Sequence, residues 1–419
     1  MGARGISLLV SLVMVPAVAR ELGPGEFGLW LNLTTAYTTL AVFDLGVGPA
    51  VMGQVSAARG HGDGLHMRRV VSTAFVFLAV TALALILVSG ALTRFIDWSG
   101  VLGVQHEVPG ELVRQLVFAV TATAALSLPF AIAGRVYQAI QRSHVTALST
   151  TLGVVLQAGT LFWVMALAPD LHYLFVVFLT TSLAAGVTTT VLLLTRSAPE
   201  LRPRWRYVDR GITLQLAREG VQFFLLNVIG IVSFRADAFL VGHYLGAASV
   251  PAYLLPLNIF ALIPTFTMMF LTPLWPAYRE AWARGDGAWV RSAYVRSVAF
   301  VTTASVLASG ALVVVAPSIL RMWLGVKAVS PSTGQLAALA CYAVLMSTSS
   351  AVGVFLNGLG ALRPQLCFAS VMAVVNLGAS IWSLRHIGLS GPLWATVVTQ
   401  TLLGLAPCMI YVRRRLSVS

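Results

Sequence analysis

Three ionisable side chains fall inside strongly apolar stretches of this sequence. Asp44 lies in VFDLGVGP, and Arg235 and Asp237 lie in SFRADAFL. A charge held at the depth of a bilayer is costly, so each is a functional candidate by default. Arg235 is suited to phosphate oxygens, because a guanidinium presents its donors in a planar fork. Asp44 and Asp237 could each take up a coupling proton or sodium ion. Each also has a structural reading. Asp44 precedes Gly46, Gly48 and Pro49 and could cap a bent helix end, and Asp237 could serve packing alone. Arg235 and Asp237 are two residues apart and so do not share a helix face. Asp44 and Arg235 differ in expected depth by about 7 residues, roughly 10 Å at helical rise, which opposes a direct pair. Arg135, followed by Arg142 and His144, ends the fourth apolar span, and Arg218 and Glu219 open the seventh. Arg135 and Arg218 either fix insertion topology or receive an anionic group at the cytoplasmic mouth of a path.

Other chemistries lack their residues. The single lysine, Lys327, sits in MWLGVKAV, so no GxxxxGK[ST] phosphate loop exists and ATP hydrolysis by that route is excluded. HExxH and GxSxG are absent, the 7 histidines show no ligand spacing, and the 3 cysteines sit in apolar runs and read as core residues. No catalytic residue, metal site or cofactor is expected.

The elements that must position these side chains follow from composition. Of 419 residues, 58% are hydrophobic and 10% charged, against about 25% charged in a soluble domain. A chain this poor in charge cannot cover a water-facing surface, so most of it belongs in lipid. A crossing needs about 20 mostly apolar residues. Twelve such spans are expected, at roughly 3–20, 27–54, 70–92, 112–134, 146–168, 171–195, 219–243, 250–275, 292–315, 334–356, 365–385 and 391–412. With the N-terminus inside, 19 of the 27 basic residues fall in cytoplasmic loops and termini and 6 in outer loops. That bias sets both termini inside. It also accounts for the net charge of +13 without nucleic acid.

The longest interior polar stretch, RSAPELRPRWRYVDRG, divides the spans six and six. The expected organisation is a six-helix lobe over 1–195, a basic cytoplasmic linker over 196–217 and a second six-helix lobe over 218–419. Near the start, Ala17-Val18-Ala19 has the small-x-small form of a signal-peptide cleavage site. Yet VARELGPGEFGLWLNL from Val18 matches VGHYLGAASVPAYLLP from Val241 at an offset of 223. Leu22-Gly23 falls on Leu245-Gly246 and Trp30 on Tyr253. The register continues where Gly62-Asp63-Gly64 meets Gly285-Asp286-Gly287 and Arg68 meets Arg291. The Arg20–Phe27 segment is therefore read as an outer turn between retained helices. The two copies share one orientation, as parallel repeats do, and two pseudo-symmetric lobes facing one another would enclose a central cleft.

ARELGPGEFGLW, FDLGVG and SAARGHGD, with GRVYQAIQRSH and FRADAFLVGHYLGAASVPAYLLPLN further on, resemble bacterial polysaccharide-transport flippases. These include O-antigen and exopolysaccharide flippases. Their superfamily also holds multidrug-and-toxin-extrusion antiporters and murein-precursor flippases, and the latter usually have fourteen helices. The resemblance implies an all-α polytopic protein of the bacterial cytoplasmic membrane, with twelve transmembrane helices in two lobes. It implies transfer of an undecaprenyl-diphosphate-linked oligosaccharide from the cytoplasmic to the outer leaflet by alternating access. The implied partners are that substrate, membrane lipid and glycan-assembly proteins. An efflux antiporter of the same architecture is the main alternative. A glycan polymerase or ligase is a weaker one, because the outer loops are short and weakly charged.

Overall fold

The computed structural model describes residues 10, 14, 17–18, 20–42, 44–102, 104, 107–167, 170–246, 249–324 and 331–417. Among them the regular structure is helical throughout, without a strand. The chain divides into two compact units, Met1–Gly220 and Val221–Ser419.

The first unit holds α1 (Pro24–Val42), α2 (Val47–Gly60), α3 (Gly64–Phe95), a short α4 (Trp98–Leu102), α5 (Gly110–Ala139), α6 (Ser143–Leu167) and α7 (Leu171–Leu192), which a π turn extends to Ser197. Helix α5 is central, packing against α1, α2, α3 and α7. Around Trp30 the core is aromatic: its ring lies 4.7 Å from Phe175 and 5.5 Å from Phe178. Helix α8 (Arg210–Leu245) leads from the first unit into the second. There follow α9 (Val250–Phe260), α10 (Leu262–Leu271), α11 (Leu274–Ala283), α12 (Gly287–Leu324), α13 (Thr333–Leu359), α14 (Leu362–Ile387), α15 (Gly391–Thr399) and, after a π turn at Gln400–Leu405, α16 (Ala406–Ser417). Helix α13 is central here, packing on α10, α11, α12 and α15.

Nine helical stretches among the described residues are long and apolar enough to cross a membrane. One of them, Leu362–Leu416, turns at Gly388 (φ 73°) and is long enough for two crossings. With that hairpin and the broken α1–α2 pair counted, eleven of the twelve expected crossings lie among the described residues. The first expected span, 3–20, falls largely outside them. The turn that follows it is seen in part: Leu22 N–H donates to the Val18 carbonyl at 3.1 Å, and α1 opens at Pro24.

The structure corrects two expectations and adds detail to the basic stretch between the lobes. The span 27–54 is not one helix. It breaks between α1 and α2, where Leu45 (φ 52°) and Gly46 (φ 73°) turn left-handed. Within the basic stretch 196–217, residues 199–209 lie along α3. Arg204 N–H donates to Ser72 Oγ at 3.2 Å and Asp209 N–H to Thr73 Oγ1 at 3.0 Å. The Arg68 and Arg206 guanidinium carbons sit 4.5 and 4.7 Å from the Tyr207 ring centroid. Arg206, donating to the Tyr207 hydroxyl, also draws that phenol below its usual pKa. Finally, Cys341 and Cys367 are exposed and Cys408 is half-buried. A lipid-facing side is as apolar as a core, so hydropathy does not separate the two.

The repeat is visible in the turns. Asp63 N–H donates to the Ala58 carbonyl and Asp286 N–H to that of Ala281, at 2.9 and 3.0 Å. Gly62 (φ 71°) and Gly285 (φ 78°) take the same left-handed conformation. The Asp63 side chain accepts from His66 N–H at 2.8 Å, and Asp286 from Trp289 N–H at 3.1 Å. Each pair stands 223 residues apart.

Candidate functional site

In the first unit, Asp44 sits at the break between α1 and α2 with 8% of its surface exposed. Its Oδ1 accepts from Gly46 N–H and its Oδ2 from Gly48 N–H, both at 3.0 Å. These are first-turn N–H groups of α2 that have no partner within the helix, so the carboxylate caps α2 from inside an apolar unit. The structure also brings Arg135 to Asp44, with Nη2 4.0 Å from Oδ2. Gly48 permits this approach. A Cβ there would stand 2.2 Å from Asp44 Oδ2 and 2.8 Å from Arg135 Nε. Arg135 therefore belongs to the end of α5 and keeps 37% of its side chain exposed, so its charge is balanced on one side and open on the other. Gly220, the last residue of this unit, lies against the same break, where a Cβ would meet the Leu45 carbonyl at 2.9 Å. Arg218, two residues earlier on α8, is exposed. On α2, Gln54 is buried with both amide atoms unpartnered.

In the second unit, Asp237 on α8 is 4% exposed. Its Oδ2 accepts from the Tyr253 hydroxyl of α9 and the Thr396 hydroxyl of α15, both at 3.3 Å. Asn376 of α14 donates through Nδ2 to the hydroxyls of Thr396 and Thr399, each at 3.0 Å. The Ser380 hydroxyl of α14, one turn beyond Asn376, is buried without a hydrogen-bond partner among the described residues. No cationic side chain among the described residues pairs with Asp237; the Arg235 side chain lies outside the described set, although its backbone is part of α8. A buried carboxylate among hydroxyl and amide groups offers hard oxygen ligands of the kind that alkali and alkaline-earth cations take. It also offers a proton acceptor. Among the described residues no cluster of three or more His, Cys, Asp and Glu is placed to hold a metal ion.

The two units do not share this chemistry. At the repeat offset Asp237 corresponds to Met14, and Tyr253 to Trp30, whose ring packs on Phe175. Sequence reasoning misses Asn376, Thr396 and Thr399 because they are uncharged. The available signal is three polar residues within apolar spans, on helices that a short turn makes antiparallel neighbours. The Asp44–Arg135 proximity has no local signal.

Residues 1–282 match the model of a family described as "Polysaccharide biosynthesis protein". No curated protein matches the chain significantly. Among solved structures, the chain is similar to a MATE protein in the straight conformation, with a TM-score of 0.76 at 14% identity, covering 99% of this chain and 93% of that one. It is also similar to an outward-facing multidrug resistance MATE family transporter of the MOP superfamily, with a TM-score of 0.75 at 13% identity and the same coverage. A MOP superfamily transporter from Pyrococcus furiosus gives 0.76 at 13% identity, again over 99% and 93%. At these identities the likeness is one of fold.

Proposed function

Starting from a multi-pass membrane chain that belongs to the polysaccharide biosynthesis protein family of the MOP superfamily, we propose that it is a flippase for an undecaprenyl-diphosphate-linked oligosaccharide. It works in the bacterial cytoplasmic membrane, with both termini inside. The observation that carries the reading is the family match over residues 1–282 on a transporter fold. The protein makes and breaks no covalent bond. It lowers the cost of moving a charged, hydrated head group through about 30 Å of hydrocarbon, while the prenyl tail stays in lipid.

In this mechanism Arg135 and Arg218 receive the diphosphate from the cytoplasmic side. Asp44 holds Arg135 half neutralised, so that the arginine binds the anion and still releases it. Arg235 lies further along the path, and the six-helix lobes over 1–195 and 218–419 alternate in access about the substrate. Asp237, with Tyr253, Thr396 and Asn376, takes up the coupling cation or proton. Arg235→Ala should abolish glycan export at unchanged protein abundance; normal export would remove Arg235 from the path. The parent reading is tested by depletion of the protein in cells. A lipid-linked saccharide should then accumulate on the cytoplasmic face, and its absence would refute the reading.

Cation-coupled efflux of small molecules is the second reading, favoured by the buried Asp237 cluster and the fold of the solved relatives. It predicts sensitivity to cationic drugs on depletion, with no lipid-linked saccharide accumulating.

A further inference from the structure

The second unit holds a groove between α12 and α16. In the first unit the segment 199–209 runs along α3, bonded to Ser72 and Thr73 and clasped by Arg68 through Tyr207. At the repeat offset Arg68, Ser72 and Phe75 correspond to Arg291, Val295 and Val298 of α12. Between α12 and α16 these residues line a cavity of about 620 Å³, walled also by Ala299, Met409 and Val412 and flanked by Arg413. Its volume lies in the range of pockets that enclose small-molecule ligands.

The lining departs from the first unit's in a definite way. Of the two hydroxyls that anchor the segment there, Ser72 is replaced by a valine, and the polar groups of the groove are the Tyr294 hydroxyl and two guanidiniums. Its walls suit hydrocarbon. Two guanidinium groups flank it, Arg291 at the second turn of α12 and Arg413 in the second half of α16. Neither has a hydrogen bond or an ion pair among the described residues, and no carboxylate among them lines the cavity. An apolar slot flanked by two unpaired arginines is complementary to a chain of hydrocarbon ending in a phosphate.

We propose that this groove is a binding site for an anionic phospholipid of the bilayer, with one acyl chain against Val295, Val298 and Val412 and the phosphate between Arg291 and Arg413. The site is separate from the residues assigned to transport, and it stands whether the substrate is a lipid-linked saccharide or a drug.

Native mass spectrometry of the detergent-purified full chain, titrated with phosphatidylglycerol or phosphatidylcholine, tests it. Phosphatidylglycerol should be retained at least tenfold more tightly than phosphatidylcholine, and R291A/R413A should remove that preference. Ala299→Trp, which fills the groove without altering charge, should weaken phosphatidylglycerol binding to a similar degree. Equal retention of the two lipids by the unaltered protein would overturn the proposal, as would full phosphatidylglycerol binding by a folded Ala299→Trp protein.

Discussion

Asp44 and Asp237 are both buried carboxylates, yet their surroundings assign them different work. Asp44 accepts two backbone N–H groups and faces Arg135, so its charge is built into the break between α1 and α2. Removing it leaves buried donors unsatisfied, at a cost of about 1–3 kcal/mol. Asp44→Ala should therefore lower the thermal midpoint in detergent clearly, and Asp44→Asn, which keeps an acceptor, should lower it less. An Asp44→Ala protein as stable as the parent would show that the cap contributes nothing. Among the described residues Asp237 meets hydroxyls, so Asp237→Asn should fold normally while transport loses its dependence on an ion gradient. Dependence retained in that variant would move the coupling site elsewhere. Both acids are visible in the sequence because a charge stands out in an apolar run. Their partners are hidden, since Thr396 and Asn376 carry no charge to single them out and Arg135 meets Asp44 through the packing of α5 on α2.

Turns are the most legible elements. Gly62-Asp63 and Gly285-Asp286 form the same left-handed turn and the same aspartate cap, as the repeat in the sequence implies. Both turns are exposed, so values measured in water apply. An L residue in the left-handed region costs roughly 1–2 kcal/mol, and Gly62→Ala and Gly285→Ala should each destabilise by that amount and alike. Denaturation of the two variants side by side checks it, and a large difference would mean that the copies are not structurally equivalent. The break at Leu45 is harder to read, because the apolar run continues through it and only the cap shows where the helix ends. Prolines and arginines make the basic stretch after α7 look like a linker. Its docking rests on two side-chain hydroxyls of α3, which no local pattern announces. Tyr207→Ala should loosen that segment and speed proteolytic cleavage within 198–209; unchanged cleavage would show that the Arg68–Tyr207 clasp does not hold it.

At the scale of the whole chain, composition alone establishes a multi-pass helical protein, and the repeat implies two copies of one fold. Chemistry is what the copies do not share: Met14 stands where the second has Asp237, and Ser72 where it has Val295. Ion dependence is accordingly expected to reside in Val221–Ser419, and substitutions at Met14 should leave it intact. The claim that organises all of this is that the protein moves a lipid-linked saccharide between leaflets. The direct test is reconstitution into liposomes carrying an undecaprenyl-diphosphate oligosaccharide, with a glycosidase added outside. The account predicts that digestion proceeds past the outer-leaflet share to completion, and that Arg235→Ala stops it at that share. Digestion that halts at the outer-leaflet share with folded, unaltered protein, while the same liposomes extrude a cationic drug, would contradict the account and establish the efflux reading in its place.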